Sequence, residues 1–223
     1  IIPVVFLLFY KTEKNPKTNE DIKGKQRSYI ELLQNPIILQ AIVTAAFAYS
    51  IMSFLMTATP ISMYKMHGFT LGSTSIVIQS HIIGMFLPSL ITGSLIKKYG
   101  HSTIIYSGAI IYLLCIFLSF YEQTFLNYLI ALVLLGIGWN FLFIGGTSLL
   151  VLCYTSSEKF KVQGFNDVLV FSIQAVASLT AGYSILNFSW NEINLACIPL
   201  VALIILVSVR ADIYKKQLAS AKS

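Results

Sequence analysis

Six stretches, near residues 36–63, 73–96, 102–121, 125–152, 164–187 and 192–210, are apolar over lengths that few elements of a water-soluble domain reach. A bilayer core about 30 Å thick takes roughly 20 apolar residues to cross as helix. A helix is the form a single segment takes there, because it satisfies its own backbone N–H and C=O groups. Each run is bounded by Pro, Gly, Asn or charge, the residues that start and stop helices. The expectation is an all-α integral membrane protein with six transmembrane helices. Apolar residues are 56% and charged residues 11% of the 223, too little polar surface to dissolve a domain of this size.

Residues 1–10, IIPVVFLLFY, read as the end of a preceding transmembrane helix and not as a signal peptide. They have no initiator Met, no basic leader and no small-residue cleavage site. The chain is therefore read as part of a longer protein. Residues 11–35 form a basic linker, whose Tyr29, Ile30, Leu32 and Leu33 suit a short helix on the membrane surface. Residues 36–211 are the six-helix bundle and 212–223 a tail. With the linker cytoplasmic, Lys97, Lys98, Lys159, Lys161, Arg210, Lys215, Lys216 and Lys222 fall on its side. Fourteen of the fifteen basic residues then share one side, leaving Lys65 on the other, as the bias of basic residues to the cytoplasm requires. The expected location is the cell (inner) membrane, multi-pass, with linker and carboxyl terminus cytoplasmic.

The net charge of +6 does not indicate nucleic acid, because the basic residues sit in short clusters between apolar runs and form no basic face. Cys115, Cys153 and Cys197 fall singly inside those runs, which suits small buried thiols better than disulfides or metal ligands. No metal and no cofactor is expected.

Polar residues in a membrane helix show which way it faces. The third and sixth segments are the least polar and are expected at the periphery. The others carry stripes at helical spacing: Tyr49, Ser53, Met56 and Pro60; Thr74, His81, Met85, Pro88 and Thr92; Gly136, Asn140, Phe143 and Thr147; Asn166, Val170, Gln174, Ser178 and Gly182. Gln79 points nearly opposite to His81. At a rise of about 1.5 Å per residue, Tyr49, His81, Asn140 and Gln174 fall near the bilayer midplane. Four mid-depth polar groups on four helices suggest a cavity, and these four are the substrate-binding candidates. Hydrogen bonding to neighbouring helices is the competing role. An intramembrane imidazole can also relay protons, which makes His81 a candidate for proton coupling. Asp167 lies about one turn into the fifth segment; Lys97 or Lys98 could pair with it to close a cytoplasmic gate, or it could simply cap its helix. Gly84, Pro88 and Gly93, with Gly136, Gly138, Gly145 and Gly146, permit close packing and bending.

The run Gly93-Ser-Leu95-Ile-Lys97-Lys98-Tyr-Gly100-His101, between the second and third segments, resembles the loop motif of the major facilitator superfamily. That motif reads Gly-x-Leu-x-Asp-Arg-x-Gly-Arg and follows the second helix of each six-helix half. Gly93, Leu95 and Gly100 match, Lys98 stands for Arg, His101 takes the last basic position, and Lys97 departs from Asp. A weakened copy is usual in the second half, so the resemblance implies the carboxyl-terminal half, helices seven to twelve. Leu32 to Pro36 resembles the connection from the sixth to the seventh helix. The third and sixth segments would be the ninth and twelfth helices, which are outer in this fold. The runs Gly138 to Ser148 and Ser157 to Phe171 resemble a bacterial branch of unassigned substrate.

The resemblance implies secondary active transport of a small solute by alternating access, with a site shared with an amino-terminal six-helix half. Proton coupling would fall to His81 or Asp167. The neutral lining disfavours a multiply charged solute. A six-helix binding or assembly remnant that does not transport is the alternative. An intramembrane enzyme is not supported, since the sequence has no Gly-x-Ser-x-Gly, His-Glu-x-x-His or paired intramembrane Asp.

Overall fold

The computed structural model describes residues 26–221. Residues 1–10, most of the linker, and Lys222 lie outside them. Helix α1 (Tyr29–Gln34) is followed by α2 (Pro36–Ile61), extended by a π-helical turn at Ser62–Met66. Then come α3 (Leu71–Phe86), α4 (Ser89–Tyr99), α5 (His101–Leu118) and α6 (Phe125–Val151). A 3-10 turn at Ser156–Glu158 leads into α7 (Lys159–Asn187), α8 (Trp190–Leu195) and α9 (Ile198–Ser220). Six spans are long and apolar enough to cross a bilayer, α3 with α4 making one and α8 with α9 another. The chain is a multi-pass membrane protein, all helical among the described residues.

Local chemistry sets the helix starts. Ser28 and Glu31 close a capping box on α1. Asn35 accepts from the Ile37 and Ile38 N–H groups with Pro36 opening α2, and Thr70 and Thr124 cap α3 and α6 the same way. The short helix expected at the end of the linker is present as α1, with Leu32 buried.

The spans pack in two layers. Helix α6 touches α3, α2 and α5, while α2 also touches α7 and α9, and α9 touches α5. One layer thus runs α3, α6, α2, α7, and α5 and α9 lie behind it. This back layer consists of the two segments expected to be outermost.

In hydrocarbon, association depends on close van der Waals contact and polar bonds, and α6 supplies the closeness through glycine. A Cβ on Gly136 would lie 2.6 Å from the His81 carbonyl oxygen of α3. One on Gly146 would lie 2.9 Å from the Ala41 oxygen of α2, and one on Gly138 2.5 Å from the Tyr112 ring of α5. Three neighbours therefore use three glycine faces of one helix.

Several boundaries differ from those expected. The second segment is two helices: Pro88 has no N–H to give, and the ladder breaks between Phe86 and Ser89. Helix α7 begins at Lys159 and α9 continues to Ser220, because polar residues there still find partners: Lys161 the Arg27 carbonyl, Gln163 the Tyr154 hydroxyl, and Lys215 Gln40 and Ser102. The expected tail from 212 is mostly helix. In the loop motif, Gly100 alone makes the turn, with φ +82°, a region that a side chain strains. Gly93 lies inside α4, where a Cβ would meet nothing within 4 Å, so it does not draw two helices together.

Substituting Gly136→Leu should push α3 off α6, a clash of the kind that costs about 1–3 kcal/mol. Gly182→Ala, which meets nothing within 4 Å, should be neutral or raise stability by up to about 1 kcal/mol. Thermal unfolding of the two variants in detergent, followed by size-exclusion, checks both signs.

Candidate functional site

The four midplane candidates separate into two groups. His81 and Asn140 are completely buried between α3 and α6. The His81 Nδ1–H donates to the Leu132 carbonyl at 2.7 Å, a partner that can only accept, which fixes the tautomer. Its Nε2 has no partner among the described residues. Asn140 Nδ2 donates to the Met85 carbonyl at 2.7 Å and to Ser89 Oγ at 2.6 Å. Its Oδ1 accepts from Thr92 Oγ at 2.6 Å. Asn140 therefore bridges both sides of the break at Pro88, supplying donors where the α3–α4 ladder is interrupted. Asn140 thus makes the interhelical bonds that were one of its two expected roles, and both it and His81 are completely buried. The stripe Thr74, His81, Met85 and Thr92 is the buried face of its span, because α6 covers it. Gln79 is exposed on the other side.

Tyr49 and Gln174 lie where α2 meets α7, and both are half-buried. Gln174 Nε2 donates to Ser53 Oγ of α2 at 3.0 Å and to Ser178 Oγ at 3.3 Å. Tyr49 stands among rings. Its centroid is 5.5 Å from Trp139, 5.4 Å from Phe143 and 6.0 Å from Phe171, each edge-on. Trp139 and Phe143 are stacked at 5.0 Å and 10°, and Phe86 of α3 meets Trp139 at 6.3 Å. All four helices of the front layer thus contribute rings to one wall. Sequence reasoning passed over Trp139, although Trp139 and Phe143 stand four apart on α6 and so share a face.

At the end that carries most of the basic residues, charge pairing differs from the expectation. Among the described residues the ion pairs are Arg27 with Glu158 at 2.7 Å and Lys215 with Asp212 at 3.2 Å. Lys97 and Lys98 do not pair with Asp167 in this structure. Lys98 Nζ lies 5.0 Å from the centroid of its neighbour Tyr99, and Asp167 accepts from Asn166 Nδ2 at 3.2 Å.

The Arg27 pair is a clasp of several bonds. Arg27 Nε and backbone N–H both reach Glu158 Oε1, at 2.8 and 2.9 Å, and Nη2 reaches the Cys153 carbonyl at 2.8 Å. Lys161 Nζ donates to the Arg27 carbonyl at 2.6 Å and lies 4.6 Å from the Tyr29 ring centroid. Hydrogen bonding to the carboxylate holds the Arg27 guanidinium above its usual pKa. Asp212 gathers a second cluster, accepting from Ser102 Oγ at 2.6 Å, Tyr106 OH at 3.0 Å and Lys215. The sequence signals for both were acids at the ends of apolar runs: Glu158 in a turn, Asp212 three residues before Lys215.

The chain matches the description of the Major Facilitator Superfamily over residues 1–172 and 41–222. A riboflavin transporter of Brucella anthropi is 34% identical over 207 residues, 92% of this chain and 50% of that protein. The uncharacterized MFS-type transporter YddS of Bacillus subtilis is 37% identical over 183 residues, 76% of this chain and 42% of that protein. YdeG of the same organism, also an uncharacterized MFS-type transporter, is 36% identical over 147 residues, 65% of this chain and 34% of that protein. The chain spans half the length of these relatives or less. No solved structure matches it.

Replacing Arg27 by Ala leaves a Glu158 carboxylate that is 1% exposed without its counter-charge. Because Arg27 itself is partly exposed, the loss should be roughly 1–3 kcal/mol, below that of a fully buried pair. The double variant Arg27→Ala, Glu158→Ala should unfold at a higher temperature than Arg27→Ala alone, since it strands no charge. Separately, Asn140→Leu removes three interhelical bonds, worth about 0.6 kcal/mol each on average, and should lower the melting temperature of the detergent-solubilised protein by an amount that Thr92→Val reproduces only in part.

Proposed function

Because the chain belongs to the major facilitator superfamily, we propose that it is the carboxyl-terminal half of a secondary transporter. In this reading it moves a small solute by alternating access, together with an amino-terminal six-helix half that covers the front layer. The observation that carries it is the wall itself. Rings from α2, α3, α6 and α7 meet on one side with the half-buried amide of Gln174 beside them, while α5 and α9 back the other. An amide at mid-depth is costly against plain lipid, so this side suits a covered, polar cavity.

Tyr49 and Gln174 contact the solute in this proposal. Riboflavin, the solute in the name of the Brucella anthropi relative, is our first substrate, and it is uncharged like the side chains of the wall. The basic end is cytoplasmic in the inner membrane, on the strength of the basic-residue count. Pairing of Lys97 or Lys98 with Asp167 belongs to a second conformation of the gate. Proton coupling is assigned to His81, supported by its unpartnered Nε2 inside a membrane span; rearrangement of α3 against α6 opens that nitrogen to water.

The full-length protein in proteoliposomes should take up riboflavin saturably, and faster when a proton gradient is imposed in the direction of uptake. His81→Gln should abolish that acceleration while leaving riboflavin counterflow within a few-fold. Gradient-driven uptake that survives the substitution removes His81 from the coupling role, and a lack of saturable riboflavin uptake removes this solute.

A further inference from the structure

We infer that the rings of Tyr49, Trp139, Phe143 and Phe171 form the stacking face for an uncharged, fused-ring heteroaromatic solute, and that an acceptor atom on its rim takes the Trp139 indole N–H. The inference rests on the transport reading and names the side chains that would hold the ring system of its solute.

Ring geometry is the first support. Trp139 and Phe143 are nearly parallel, 10° apart at 5.0 Å, so they stack on each other along α6 and leave their outer faces for a further ring. Tyr49 stands edge-on to both, and Phe171 edge-on to Tyr49. These separations lie within the 4.5–7 Å range, roughly, over which π faces attract in offset or edge-on arrangements. Aromatic residues also pack membrane cores with no ligand in view. Here, however, Phe171 is 53% exposed and Tyr49 and Phe143 are half-buried, so one edge of the cluster opens on the front layer while Trp139 anchors it in the core.

The second support is an unmatched polar group. Trp139 is 7% exposed, yet its Nε1–H has no partner among the described residues. Buried indole donors usually find an acceptor, because an unmade bond in a low dielectric is costly. The rings around this one are those of Tyr49, Phe86 and Phe143, and none of them accepts its bond.

The third is the chemistry of the rim. Gln174 lies three residues after Phe171 and Ser53 four after Tyr49, so each shares a face with its ring. Their hydrogen bond, with Ser178 beside it, places amide and hydroxyl groups next to the stacking surface. Helices α2, α3 and α6 carry no charged side chain, and α7 carries none after Asp167. That combination suits a planar π system with amide-like edges. It does not suit a carboxylate or a phosphate.

The test is fluorescence titration of riboflavin against the purified full-length protein, with proteoliposome uptake measured in parallel. Trp139→Phe keeps a ring and removes the donor, and Phe143→Leu removes a ring; each should weaken binding roughly two- to tenfold. Phe117→Leu, on the outward side of α5, should leave it unchanged. Lumichrome, the ring system alone, should compete, and ribitol should not. The inference is overturned if Trp139→Phe and Phe143→Leu, both eluting as the parent does, bind riboflavin unchanged, or if ribitol competes and lumichrome does not. Absence of binding by both riboflavin and lumichrome overturns it too. Ring-dependent binding without uptake leaves the stacking face standing and sinks the transport reading instead.

Discussion

Apolar side chains gain nothing by leaving lipid for one another, so the arrangement of this bundle depends on how near other backbones can come to α6. Gly136, Gly138 and Gly146 each open a different side of that helix, and α3, α5 and α2 approach through them. Once those contacts are made, α2 is held where it can carry α7 on its far side and α9 behind it. Removing the glycine contacts would leave the remaining helices with little to align against, since the other bonds between spans are few.

Those few bonds divide by purpose. Asn140 is fully satisfied and sits where the second span has lost its own ladder, so its role is to mend the backbone around Pro88 while joining two helices. Arg27 and Asp212 fasten the bundle at one end, where water reduces the cost of charge. Trp139 Nε1 and His81 Nε2, in contrast, are buried and unmatched among the described residues. The fold pairs the Asn140 amide with three partners yet leaves these two ring nitrogens unmatched, as it does Gln40 Nε2, Thr44 Oγ1 and Asn166 Oδ1 on α2 and α7.

Much of this architecture is legible in the chain alone. Run length and basic-residue bias indicate six spans and their alternation, and the low polarity of the third and sixth indicates the back layer. Helical periodicity identifies the right faces, but a face does not state what covers it. The stripe through His81 lies against α6, and a polar group at mid-depth is expected in that setting as much as in a cavity lining. The Arg27 clasp joins residues 131 apart in sequence, and the ring wall joins four helices; neither leaves a local pattern. Gly100 is legible for a simpler reason, since a turn that short needs a residue free of a side chain.

The distance spanned by the Arg27 clasp also orders the events of synthesis. Arg27 precedes Glu158 and the Cys153 carbonyl by the whole of α2 through α6. The clasp therefore cannot close until all of those helices have been made. When it does, one arginine ties the segment before α2 to the turn before α7, and the two ends of that long stretch of chain become a single edge of the bundle.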